Sequence, residues 1–127
     1  IFVVTGNVKG KERETIRKAI EKEDDCVVLA TYGVFSTGIS INKLHNFIFA
    51  HPTKSKTRVL QSIGRLLRKH ITKDVATIFD IVDDFSITTK KGSVRKNYIL
   101  EHALERSKFY IKERYPFSIK KLDFYIE

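Results

Sequence analysis

The sequence has no methionine, one cysteine, and no apolar run near the roughly 20 residues that a membrane-spanning helix needs. Cys26 has no partner for an intrachain disulfide, lies inside an apolar run and reads as core, which fits a reducing, cytoplasmic compartment. No basic start leads into a long apolar segment, so no secretory signal is read. With no methionine, and opening directly on the strand-like Ile1-Phe2-Val3-Val4, the chain is expected to be a portion of something longer. A phosphate loop is also missing. Gly6-Asn7-Val8-Lys9-Gly10-Lys11-Glu12 is one residue short of the required spacing, and Glu12 stands where a metal-binding hydroxyl belongs. A carboxylate there repels phosphate, so the segment reads as a strand-to-helix turn. His45, His51, His70 and His102 show no ligand spacing. Asp80, Asp83 and Asp84 cluster at the end of a strand and are read as caps or partners of basic groups. No metal site is expected. No nucleophile–base pair has a recognisable spacing either.

What is present is a basic surface on an apolar frame. The 127 residues are 42% apolar, enough for one domain with a real core. The net charge is +9, and residues 51–75 hold seven Lys/Arg against one acid, Asp74. Local clustering of this kind attracts phosphates, of nucleic acid or of nucleotide. A basic helix lying on a membrane surface is the competing reading. It is disfavoured because the apolar face of that helix is needed for the core.

Periodicity predicts the following order. Ile1–Thr5 is a buried strand and Lys11–Lys22 a helix with Ile16, Ala19 and Ile20 inward. Cys26–Thr31 is a continuous apolar run, the mark of a strand covered on both faces. Tyr32–Ile41 is a loop, Phe47–Ala50 a short strand, Ser55–His70 a helix and Val75–Val82 another strand. Lys90–Lys96 is a polar basic stretch, expected to be mobile. Asn97–Arg114 is a long helix with Ile99, Leu100, Ala103, Leu104, Tyr110 and Ile111 on its apolar stripe, stopped by Pro116. Tyr98 and Phe109 fall off that stripe and could stack on a base or pack against a neighbouring domain. Ser118–Ile126 is an edge strand or a tail. This alternation implies an α/β fold, a mostly parallel sheet with helices on both faces, plus a C-terminal helix.

The most informative segment is Gln61-Ser62-Ile63-Gly64-Arg65-Leu66-Leu67-Arg68. At about 100° per residue, Gln61, Arg65 and Arg68 share an arc of roughly 60°, while Val59, Leu60, Ile63, Leu66 and Leu67 lie on another face. Two permanently charged, planar forks one turn apart suit a nucleoside triphosphate, with Gly64 allowing close approach. A solvated basic face is the alternative. Ser36-Thr37-Gly38-Ile39-Ser40 follows a buried strand, where ligands bind in open α/β sheets. Its hydroxyls and backbone N–H groups can hold a phosphate of a nucleotide or a nucleic-acid strand; an ordinary connecting loop is the alternative.

Together, Tyr32 to Ser40, the short strand and Gln61 to Arg68 resemble motifs V and VI of the second RecA-like lobe of superfamily 2 helicases. Within that family the likeness is to recombination and fork-remodelling helicases of T4-type phages. It runs from Ile1 to about Asp84 and more loosely through the last helix. The resemblance implies a RecA-like second lobe over 1–127, lacking its N-terminal part, with 97–127 packing on it. It implies ATP-dependent helicase or translocase activity on DNA, in recombination or repair. Arg65 and Arg68 would be arginine fingers. Gln61, Gly38 and Ser40 would face the nucleotide, although Ser40 stands where many family members carry an acid that can bind ribose. Ser36, Thr37, Lys54 and Lys56 would contact the nucleic-acid backbone. ATP and Mg²⁺ would be held mainly by the first lobe of the same protein, which this sequence does not include. The partner is DNA, single-stranded or branched, with no membrane. A non-enzymatic nucleic-acid-binding module and the motor lobe of a restriction enzyme are the alternatives.

Overall fold

A computed structural model describes the backbone of residues 1–37 and 39–122, without the side chains of Ser36 and Thr37. Gly38 and 123–127 lie outside the described residues. β1 (Phe2–Val4) leads through a turn into α1 (Gly10–Lys22). Arg13 holds that turn, its Nε donating to Val8 O at 2.7 Å and its Nη2 to Gly6 O at 3.1 Å. This is the strand-to-helix connection expected there. β2 (Val28–Ala30) lies parallel to β1, pairing Phe2 with Val28 and Val4 with Ala30.

α2 (Tyr32–Thr37) occupies much of the expected loop. Its sequence has little helix propensity, and it forms because tertiary packing overrides propensity. Val34 enters the core with Val4, Ile20, Ile39 and Ile41, while Tyr32 stacks on Phe49 and Phe35 packs on Phe47. β3 (Asn46–Phe49) then pairs parallel with β4 (Thr77–Asp80), matching Phe47 with Ile78 and Phe49 with Asp80. α3 (Lys56–Leu66) connects them, and Ser55 caps it by accepting from Arg58 N. The helix ends four residues earlier than expected. The ammonium of Lys73 takes the terminal Leu66 carbonyl at 2.6 Å and Asn42 O at 2.9 Å. Leu67, expected inward, is exposed beyond the helix end.

The basic stretch expected to be mobile is a hairpin, β5 (Ile87–Thr88) with β6 (Val94–Arg95). Gly92 makes its turn with φ of 78°, a region open to glycine at little cost. α4 (Tyr98–Lys112) follows. Its buried line is His102, Arg106 and Tyr110, at four-residue spacing, whereas Leu104 and Ile111 are exposed. The inner face is therefore polar, and Asp80 explains it. Arg106 is fully buried and Tyr110 nearly so; Arg106 forks onto Asp80 and donates from Nη1 to Thr53 O at 2.9 Å. The Tyr110 hydroxyl donates to Asp80 Oδ2 at 2.8 Å. Burial, and then the Asp80 charge, raise the Tyr110 pKa. Among the described residues, 118–122 form no strand.

The α/β class holds, with parallel pairing in the two sheets whose strands are joined by helices, β1–β2 and β3–β4. The sheet itself differs from the expectation. Among the described residues the two parallel pairs are not hydrogen-bonded to each other. Their helices cover one face, carrying Phe2, Val4 and Val28 in one pair and Phe47, Phe49 and Ile78 in the other. The opposite faces carry the register partners Val3 and Leu29, and Ile48 and Phe79, all more than half exposed.

Candidate functional site

Two segments far apart in sequence meet at the C-terminal end of α3. Ile39 and Ile41 are buried in the first core, and Ser40 between them is only partly buried. Apolar anchors on either side thus fix the strip on which Ser40 sits. Opposite, Val59, Ile63 and Leu66 bury the inner stripe of α3. That seating brings the outer face of the helix to the 39–42 strip.

Arg65 Nη1 donates to Ile39 O at 2.5 Å, and the Arg68 guanidinium donates to the Ser40 hydroxyl. Arg65, Arg68 and Ser40 are therefore brought together. Arg68 reaches this place from beyond the helix end, not from a continuing helix. Burial lowers the Arg65 pKa, and repulsion from Arg68 adds to this. Neither effect approaches what would neutralise a guanidinium, so two positive charges share one corner. That corner is matched to an anion such as a triphosphate. Gln61 is exposed one helical turn before Arg65. Gly64 is also exposed, and a Cβ there would meet nothing within 4 Å.

The other expected residues divide. Gly38 lies outside the described residues, as do the side chains of Ser36 and Thr37. Lys54 and Lys56 are exposed at the opposite end of α3, before and at its first residue. Lys73, counted with the basic surface, is a structural cation whose pKa is lowered by burial. Asp80 belongs to Arg106. Asp84 accepts from Ser86 N at 2.9 Å, and the Ser86 hydroxyl, followed by this backbone bond, lowers its pKa. Among the described residues no His, Cys, Asp and Glu group could hold a metal, and no helix is long and apolar enough to cross a membrane.

Sequence reasoning missed three residues that position this site. Lys73 ties the α3 terminus to the 39–42 strip, and Arg106 and Thr53 tie the start of α3 to β4 and α4. A buried arginine has no local signature. Its partner Asp80 is 26 residues away.

The chain is similar to known helicases. The model of the helicase conserved C-terminal domain matches residues 1–70. The ATP-dependent DNA helicase uvsW of Enterobacteria phage T4 is 38% identical over 128 residues, covering 97% of this chain and 26% of that protein. The putative ATP-dependent RNA helicase L396 of Acanthamoeba polyphaga mimivirus is 33% identical over 107 residues, 84% of this chain and 20% of that protein. The putative ATP-dependent helicase IRC3 of Saccharomyces cerevisiae is 33% identical over 84 residues, 66% of this chain and 12% of that protein. The chain thus spans about a quarter or less of the length of these relatives. No solved structure matches. On the match over residues 1–70, the chain belongs to the family of helicase conserved C-terminal domains.

Proposed function

We propose that this chain is the second motor lobe of an ATP-dependent DNA helicase or translocase acting in recombination or repair. The observation that carries the reading is the corner where Arg65 and Arg68 meet Ile39 and Ser40. A bound nucleoside triphosphate with Mg²⁺ supplies the transferable phosphoryl group, held mainly by the first lobe of the same protein. Arg65 and Arg68 supply positive charge where negative charge develops on that group. Gln61 lies on the same face and couples the nucleotide to the nucleic-acid side. Ser40, a hydroxyl, contributes a weaker nucleotide contact than a carboxylate on ribose would. Thr37, Ser36, Lys54 and Lys56 hold strand phosphates, and Gly38 lets the strand approach. Because 39–42 and α3 are hydrogen-bonded together, a shift of the guanidiniums on the nucleotide is passed directly to the strand-binding loop.

In the complete protein, Arg65→Ala or Arg68→Ala lowers kcat for ATP by about 10³–10⁵, with a far smaller effect on ATP binding. Lysine rescues poorly because it lacks the planar fork. The chain of 127 residues by itself turns over no ATP. Near-normal DNA-stimulated hydrolysis in both alanine variants of the complete protein would overturn the assignment.

A further inference from the structure

A cleft of about 860 Å³ lies along α4 from Tyr98 to Lys108, lined by none of the residues of the Arg65–Arg68 corner. Lys54 lines it from just before the first turn of α3, the opposite end of that helix from Arg65. Lys96, Tyr98, Glu101 and His102 also line it. The remaining charges are Glu105 and Lys108, which answer each other at 2.5 Å.

Two features separate this cleft from a solvated helix face. Tyr98 is 62% exposed, although a tyrosine ring gains by burial. Its ring meets the His102 imidazole at a tilt of 52°, with ring centroids 3.8 Å apart. His102 is only 5% exposed, yet neither ring nitrogen has a hydrogen-bond partner. An orphaned donor and acceptor in a buried place cost free energy that an incoming polar group recovers. Burial, then Lys54 and Arg106, lower the His102 pKa against a smaller opposing effect of Glu101, so the imidazole is neutral at pH 7. A neutral imidazole offers one donor and one acceptor, which suits a neutral, hydrogen-bonding ring and not a second ion. Lys54 and Lys96 at the rim suit a phosphate.

We propose that this cleft holds one nucleotide unit of a single-stranded nucleic acid, its base packed on the exposed Tyr98 ring with its polar edge toward the His102 nitrogens, and its phosphate on Lys54 and Lys96. It rests on the reading of Lys54 as a backbone contact, and adds a stacking platform that none of the motif residues provides. Stacking on an aromatic ring is tolerant of sequence, as a translocating motor requires.

The test uses the full chain and fluorescein-labelled oligo(dT), followed by anisotropy at several salt concentrations. A duplex of equal length and free dTMP serve as comparisons. Tyr98→Leu weakens oligo(dT) binding about five-fold or more and leaves duplex binding and the salt slope unchanged. Lys54→Glu and Lys96→Glu weaken both ligands and flatten the slope, while Lys18→Glu on α1 does not distinguish single strand from duplex. Tyr98→Trp keeps the ring and introduces the only tryptophan of the chain. Its fluorescence is quenched by oligo(dT). Unchanged oligo(dT) affinity in Tyr98→Leu, without quenching in Tyr98→Trp, would overturn the proposal, whereas competition by dTMP at high concentration is expected of a site for one nucleotide unit. None of these readouts depends on Arg65 or Arg68, so the motor reading stands or falls separately.

Discussion

The Arg106 guanidinium grips the Asp80 carboxylate with two parallel hydrogen bonds, Nε to Oδ2 at 2.8 Å and Nη2 to Oδ1 at 2.5 Å. This pair pins α4 to the end of β4, and Arg106 Nη1 extends the hold to the segment before α3. Breaking such a pair from one side leaves a charge without its partner. Arg106→Leu is expected to cost about 3 kcal/mol, the low end of the range for buried pairs, since Asp80 keeps some contact with water. The double variant with Asp80→Leu should be less destabilised than Arg106→Leu alone. Urea denaturation midpoints of the three variants check this; a single-variant loss under about 1 kcal/mol contradicts it.

Gly64 sits in the interior of α3 with open space where a Cβ would go. Gly64→Ala should raise the stability of the chain by about 0.5–1 kcal/mol through helix propensity. If the position serves close approach of a nucleotide or of the first lobe, the same change lowers ATPase activity of the complete protein. Thermal unfolding of the chain and turnover of the complete protein are the paired measurements. A variant that is both more stable and fully active removes Gly64 from the site.

His102 is held neutral by burial, by Lys54 and by Arg106. Its folded pKa is lowered below the unfolded value of about 6.5, so the unfolded chain binds the extra proton first. The stabilisation is complete above that value and is lost as pH falls below it, at up to about 1.4 kcal/mol per pH unit. His102→Leu should flatten the fall of stability as pH drops below about 6.5. Equal slopes for the two proteins below that pH would show that His102 does not titrate as described.

Arg114 has φ of 58° immediately after α4, where Arg114 N donates to Ile111 O and Tyr115 N to Tyr110 O. This double closure places a left-handed residue where glycine is preferred. Arg114→Gly should stabilise the chain by about 0.5–1 kcal/mol, the relieved strain exceeding the added freedom of the unfolded chain. A lower melting temperature would mean that the arginine side chain contributes more than its backbone costs.

Legibility in the sequence followed the range of the interactions. The bounds of α1 and α4 were readable to within a residue or two because their start and stop signals are local. α2 was not, since Gly33, Val34, Ser36 and Thr37 argue against a helix and only the surrounding core makes one. The hairpin was hidden by strands of two residues each, with Ile87 and Val94 both exposed. The inner face of α4 was misread because its arginine is neutralised by a carboxylate distant in sequence. At the site, the residue types and spacing of Gln61, Arg65 and Arg68 were legible. That Arg65 and Arg68 are braced on Ile39 and Ser40 was not, because the bracing requires the fold.

The bare sheet faces around Val3, Leu29, Ile48 and Phe79 set the colloidal behaviour of the isolated chain. Large exposed apolar surfaces favour self-association, and mutual repulsion of molecules carrying +9 opposes it. Salt shortens that repulsion, to a reach of about 8 Å at physiological ionic strength, and leaves the apolar attraction in place. The chain should therefore disperse best in dilute buffer and scatter more light as salt is added, the reverse of ordinary salting-in.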